Sequence, residues 1–80
     1  MVVGYILIKT EAAKEHSVYE RLKHIEEVVE VHALFGEYDF IVKLEAEDFN
    51  KLGEIVVDKI RAIDGVKDTE TLTGPDTLSF

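Results

Sequence analysis

Gly36, Tyr38 and Asp39 fall within four residues of one another, in the short polar break Gly36-Glu37-Tyr38-Asp39. Apolar runs flank the break on both sides of the stretch Val28 to Leu44. This pattern predicts an antiparallel hairpin with glycine where the backbone turns. Backbone N–H groups freed at such a bend can hold an anion, while the Asp39 carboxylate can hold a cation. Together they are half of a site for a free amino acid, which carries both charges. A glycine alone is also what an ordinary turn requires, so the bend needs a second set of groups to complete it.

The second set lies near the end of the chain, in Asp68-Thr69-Glu70-Thr71. Thr69 and Thr71 have the same parity, so on a strand their hydroxyls share one face, about 7 Å apart. Threonine is also a good strand former, and a structural use would account for the pair by itself. No other constellation points to chemistry. His16, His24 and His32 are spaced eight residues apart with no cysteine beside them, which does not converge on a metal. Ser17 and Ser79 lie in a helix and in the tail, away from any histidine–acid pair, and no glycine-rich loop precedes a helix. Glu26-Glu27, Glu45, Glu47, Asp48 and Asp58 read as solvated faces and caps. No catalytic residue, metal or cofactor is expected.

The elements that must position these groups follow from periodicity. Val2 to Lys9 is almost wholly apolar, as in a central strand. Ala12 to Ile25 reads as a helix on the stripe Val18, Leu22, Ile25, with Tyr19 beside it. The hairpin follows. Asp48 caps a second helix whose apolar face is Phe49, Leu52, Val56, Ile60 and Ile63, and Asp64-Gly65 ends it. Val66 to Leu72 is the last strand, broken by Thr73-Gly74-Pro75-Asp76, and residues 73–80 form a tail. The pattern also repeats. Lys9-Thr10-Glu11-Ala12 returns as Lys43-Leu44-Glu45-Ala46, and Ile25, Val28, Leu34 and Gly36 return as Ile63, Val66, Leu72 and Gly74.

Two βαβ units in tandem predict one α+β domain over residues 1–80 of the ferredoxin-like βαββαβ type. Right-handed crossovers place both helices on one face of a four-stranded antiparallel sheet. Ile6, Ile8, Phe40 and Val42 then face the helices. Tyr5, Leu7 and Ile41 point the other way, and an apolar sheet face without helices implies a partner. A homodimer packed sheet against sheet, in the manner of a dimeric α+β barrel, is expected. On the edge, Val29, Val31, Ala33 and Phe35 share a parity that a bulge would partly reverse.

Composition narrows the function classes. Eighty residues can bury only about 60–65% of their surface on folding, which leaves a lone copy marginal. The chain has no cysteine, and its net charge is −8 with nine scattered basic residues. Phosphate backbones need clustered positive charge, so direct nucleic-acid binding is not expected. The run Val2–Ile8 is too short for a membrane span and lacks a basic leader, which suits a soluble, cytoplasmic protein. One asparagine and no glutamine stand beside abundant Glu and Lys, a balance found in thermophilic proteins.

With the bend and the threonines in these places, Val3 to Leu72 resembles the ligand-binding domain of the Lrp/AsnC family of amino-acid-responsive transcription regulators, the RAM domain. Gly36-Glu37-Tyr38-Asp39 matches the family's G-x-Y-D, and Val66-Lys67-Asp68-Thr69-Glu70-Thr71 its V-x-x-T-x-T. The resemblance implies dimers assembled into rings, with a small amino acid bound between dimers. Gly36 backbone would meet its carboxylate, Asp39 its ammonium, Thr69 and Thr71 would add hydroxyl contacts, and Tyr38 would shape the wall. Full-length members carry a helix-turn-helix domain before this unit, so the expected type is stand-alone, acting by sensing or by co-assembly with full-length relatives. Ala12-Ala13 stands where the family often has Pro-Gly. The competing expectation is a small dimeric enzyme of the same fold, a cofactor-free oxygenase or isomerase.

Overall fold

β1 (Val2–Thr10) runs through the middle of the sheet between two other strands, and its residues alternate between buried and more exposed. The computed structural model describes residues 1–74. After β1 come α1 (Glu15–Lys23), β2 (Val28–Ala33), β3 (Phe40–Ala46), α2 (Phe49–Ile55) and β4 (Val66–Thr73). The sheet order is β2-β3-β1-β4 with every neighbour antiparallel. This is the ferredoxin-like α+β arrangement that the tandem repeat implies.

The core forms between the sheet and the two helices. Ile6, Ile8, Val42 and Leu44 from the central strands meet Val18 and Leu22 of α1 and Leu52 of α2, and all are essentially inaccessible to solvent. Only that face of β1 is covered. Tyr5, on the other, remains 43% exposed. On β2 the register slips between Val28 and Glu30, which sets Val31 opposite Val42 and Ala33 opposite Phe40, facing the helices. Val29, at the slip, is left exposed. Thr73, expected to open the tail, still belongs to β4, and the rest of the expected tail from Pro75 onward lies outside the described residues.

Both helices depart from their expected limits for local reasons. α1 begins at Glu15, three residues after Ala12, because Ala13 is left-handed at φ 68° and cannot continue a right-handed helix. Lys14 N–H bonds the Glu11 carbonyl at 3.1 Å, and Glu11 N–H bonds the Gly65 carbonyl at 2.8 Å. The turn is therefore pinned to the end of the other βαβ unit. α2 starts as expected, with Asp48 accepting from Lys51 N–H at 2.8 Å. It then widens into a π turn over Val56–Ile60, closed by Arg61 N–H on the Val56 carbonyl at 2.8 Å. Ile55 joins Leu52, Val56, Ile60 and Ile63 in the core, while Phe49, the first helical residue, stays 46% exposed. Among the described residues no helix is long and apolar enough to cross a membrane.

Gly65 has φ 102°, and a Cβ there would lie 2.8 Å from Lys14 Cβ and 3.0 Å from Val18 Cγ2. Gly65→Ala is expected to lower stability by about 2–4 kcal/mol through strain and overpacking together. Ala13→Gly relieves a left-handed alanine and is expected to raise stability by about 1 kcal/mol. Urea unfolding of each variant at one fixed protein concentration checks both signs.

Candidate functional site

The loop from Leu34 to Asp39 joins β2 to β3 and is held at both ends. Leu34 N–H bonds the Asp39 carbonyl at 2.9 Å, and Asp39 N–H bonds the Ile8 carbonyl at 2.8 Å. At the turn Gly36 takes φ 111°, and a Cβ placed on it would meet nothing within 4 Å. The backbone at Gly36 is thus open to a ligand.

Asp39 has a role that its spacing did not reveal. Its Oδ2 accepts from Thr10 N–H at 2.8 Å and from the Thr10 hydroxyl at 3.0 Å. Among the described residues Thr10 is the one polar side chain in the buried set, and it stands where the β1–β4 register shifts. The carboxylate therefore ties the end of β1 to the hairpin loop. Oδ1 makes no hydrogen bond among the described residues, which leaves one carboxylate oxygen for an outside cation.

Tyr38 lies over the sheet face that carries no helices. Lys9 Nζ sits 5.6 Å from its ring centroid, within cation–π range, and 3.8 Å from Glu37. Partial burial, with the carboxylates of Glu70, Glu37 and Asp68, pushes the Tyr38 phenol above its ordinary value. The hydroxyl is a neutral donor at physiological pH.

Thr69 and Thr71 do not join this corner. They pair with Ile8 and Ile6, and paired residues share a face of the sheet, so both threonines lie on the helix side. There they line an open groove of about 400 Å³ with Phe49, Val56, Val57 and Arg61, a size in the range of small-ligand clefts. Thr69 and Thr71 thus lie on the helix side and Tyr38 with Lys9 on the other, while the Asp39 carboxylate is engaged with the buried Thr10.

The open face is as its parity implied. Leu7 stands beside Ile41, and Tyr5 beside Leu72. Leu72 is 46% exposed and belongs with Tyr5, Leu7 and Ile41, a place its parity, opposite to that of the threonines, would have given. Polar side chains are interleaved with them: Lys43 stands beside Tyr5, Glu70 beside Leu7 and His32 beside Ile41, with the His32 ring 2.9 Å and Lys43 3.7 Å from Glu30. The hydrogen bond to His32, helped by Lys43, holds the Glu30 carboxyl below its usual range. His16, His24 and His32 are all exposed, and no group of metal-ligating side chains forms among the described residues.

Known proteins resemble this chain in sequence and in fold. The family model for the Lrp/AsnC ligand binding domain matches residues 3–73. An uncharacterised HTH-type transcriptional regulator of Pyrococcus abyssi is 36% identical, the match covering 94% of this chain and 52% of the regulator. The chain spans about half the length of the curated regulators it matches. The crystal structure of FFRP-DM1 superposes with a TM-score of 0.89 at 37% identity, over 94% of this chain and all of that one. A Neisseria meningitidis transcriptional regulator, solved as a complex with L-Met, has the same fold at a TM-score of 0.84 and 20% identity, over 99% of this chain and 53% of that one.

The Asp39–Thr10 tie predicts a stability effect independent of any ligand. Asp39→Ala leaves the Thr10 amide without its acceptor and is expected to cost about 1–3 kcal/mol. Asp39→Asn keeps an acceptor oxygen and should lose less than half of that, as read by denaturant midpoints in ligand-free buffer.

Proposed function

The chain belongs to the Lrp/AsnC ligand-binding domain family, and on that footing we propose that it is a non-enzymatic regulatory module sensing a small amino acid at a site between subunits. The observation that carries this reading is the corner at Gly36–Asp39. An open backbone turn, a neutral phenol and one uncommitted carboxylate oxygen stand together on a loop braced by two backbone bonds and by Thr10. Groups held rigidly before binding lose little freedom when the ligand arrives. The Gly36 amide region takes the carboxylate, Asp39 Oδ1 the ammonium, and Tyr38 the side-chain wall. Thr69 and Thr71, on the helix side of the sheet, complete the site from a neighbouring copy. L-Met in the Neisseria meningitidis regulator is of the ligand class proposed.

Copies pair through Tyr5, Leu7 and Ile41, and the pairs associate further into a ring. With net charge −8 and scattered lysines, the module acts through co-assembly with full-length Lrp/AsnC relatives in the cytoplasm and not by touching DNA itself. The alternative, an oxygenase or isomerase of the same fold, would use an enclosed pocket between helices and sheet. Leu22, Leu52 and Ile60 fill that space.

A calorimetric screen of the twenty amino acids is expected to find at least one binder. A charge-assisted bond from Asp39 contributes about 1.5–3 kcal/mol, so Asp39→Asn should weaken that binder at least about tenfold while the fold persists. No heat with any amino acid would end the sensing proposal. On the pairing face, Leu7→Glu sets a second carboxylate beside Glu70, and like charges brought together by burial are unfavourable. Sedimentation should show it shifted to single copies at concentrations where the unaltered chain is dimeric.

A further inference from the structure

Gly53 stands in the middle of α2, where glycine is the least favourable residue short of proline. Close packing does not require it there. A Cβ placed on it would meet nothing within 4 Å, and the residue is exposed. What a side chain would take away is space, and that space belongs to the groove of about 400 Å³ between α2 and β4.

Around this gap the groove is ordered. Phe49 and Gly53 of α2, Val57 of the π turn and Arg61 just after it follow at intervals of four, and all of them line it. Residues four apart are neighbours along one face of a helix. Gly53 is thus a notch between two apolar side chains, with a guanidinium beyond the second. Phe49 and Val57 are exposed in spite of their size. Across the groove Thr69, Thr71 and Thr73 set a row of hydroxyls along one face of β4. Arg61 has no carboxylate within 4 Å among the described residues, and its charge is permanent. Helices that widen into a π turn often do so at functional positions.

We propose that the notch at Gly53 takes the side chain of the amino-acid effector, that this side chain is apolar and larger than a methyl group, and that Arg61 takes the effector's carboxylate. The inference rests on the amino-acid reading above and narrows it to a ligand class. An apolar side chain laid over Gly53 covers Phe49 and Val57, which favours it by the area removed from water. A methyl group leaves the notch unfilled. Lysine or arginine would bring a second cation toward Arg61, and aspartate or glutamate would press a second carboxylate onto apolar walls. The Gly36 amide offers the carboxylate a dipole without net charge. Arg61 adds the charge, in a fork that matches both carboxylate oxygens.

Titration calorimetry with single amino acids tests this. The tightest binder should be leucine, isoleucine, methionine or phenylalanine, at least about tenfold tighter than any charged amino acid. Gly53→Leu fills the notch and, leucine being the better helix former, should not lower the urea midpoint. In that variant the affinity for the tightest binder relative to alanine should fall at least about tenfold. A general change in stability or assembly would affect both ligands alike and leave this ratio alone. Arg61→Gln is read with the tightest binder and with its carboxamide, which lacks the negative charge. The unaltered chain should prefer the acid by about tenfold or more, and the variant should bind the two equally. A charged amino acid as tightest binder, an unchanged ratio in Gly53→Leu, or equal losses for acid and amide in Arg61→Gln would each overturn the proposal and leave amino-acid sensing standing. Absence of heat with every amino acid would remove both.

Discussion

Both helices pack on one face of a four-stranded sheet, and the apolar content of the chain exceeds what that single layer can hide. Two right-handed βαβ crossovers leave no other placement for the helices. Ile6, Ile8, Val42 and Leu44 disappear into the helix layer, while Tyr5 and Leu72, on the opposite face, stay nearly half exposed. For a chain of 80 residues the buried layer alone is a small core. The bare sheet face follows from that one-sidedness.

The same constraint shapes the candidate site. The β2–β3 loop leaves the sheet at the end of β1, and Asp39 uses one oxygen to hold that end through Thr10. In the proposed reading this residue, which braces the fold, also serves recognition, because a carboxylate has two oxygens and Thr10 occupies one. The threonine pair is set by strand alternation to the helix side. In the proposed reading the site is completed only where copies meet, and ligand binding and assembly are then coupled by geometry.

Membership of the Lrp/AsnC family rests on a match over residues 3–73, which covers the loop, the threonine strand and both helices. Ala13 stands at the entry to α1. It takes the left-handed turn that glycine would take more easily, at φ 68°. The turn survives because Glu11 is hydrogen-bonded to Gly65 from the second repeat, so tertiary contact overrides the local preference.

Local pattern alone determined the order of the elements, the Asp48 cap, the helix-facing set and the bare set of Tyr5, Leu7 and Ile41, whereas the second helix ends at Ile60, ahead of the expected glycine stop at Gly65. These depend on periods of 2 and 3.6 and on capping chemistry, all written in neighbouring residues. The hairpin bend and the Thr69, Thr71 pair were legible as residue types for the same reason. Only the tertiary structure decided that Asp39 binds Thr10, that α2 runs into a π turn, and that the threonines face the helices. Each depends on which strands become neighbours and in what register, and a pairing between residues 29 positions apart leaves no periodic trace in the chain.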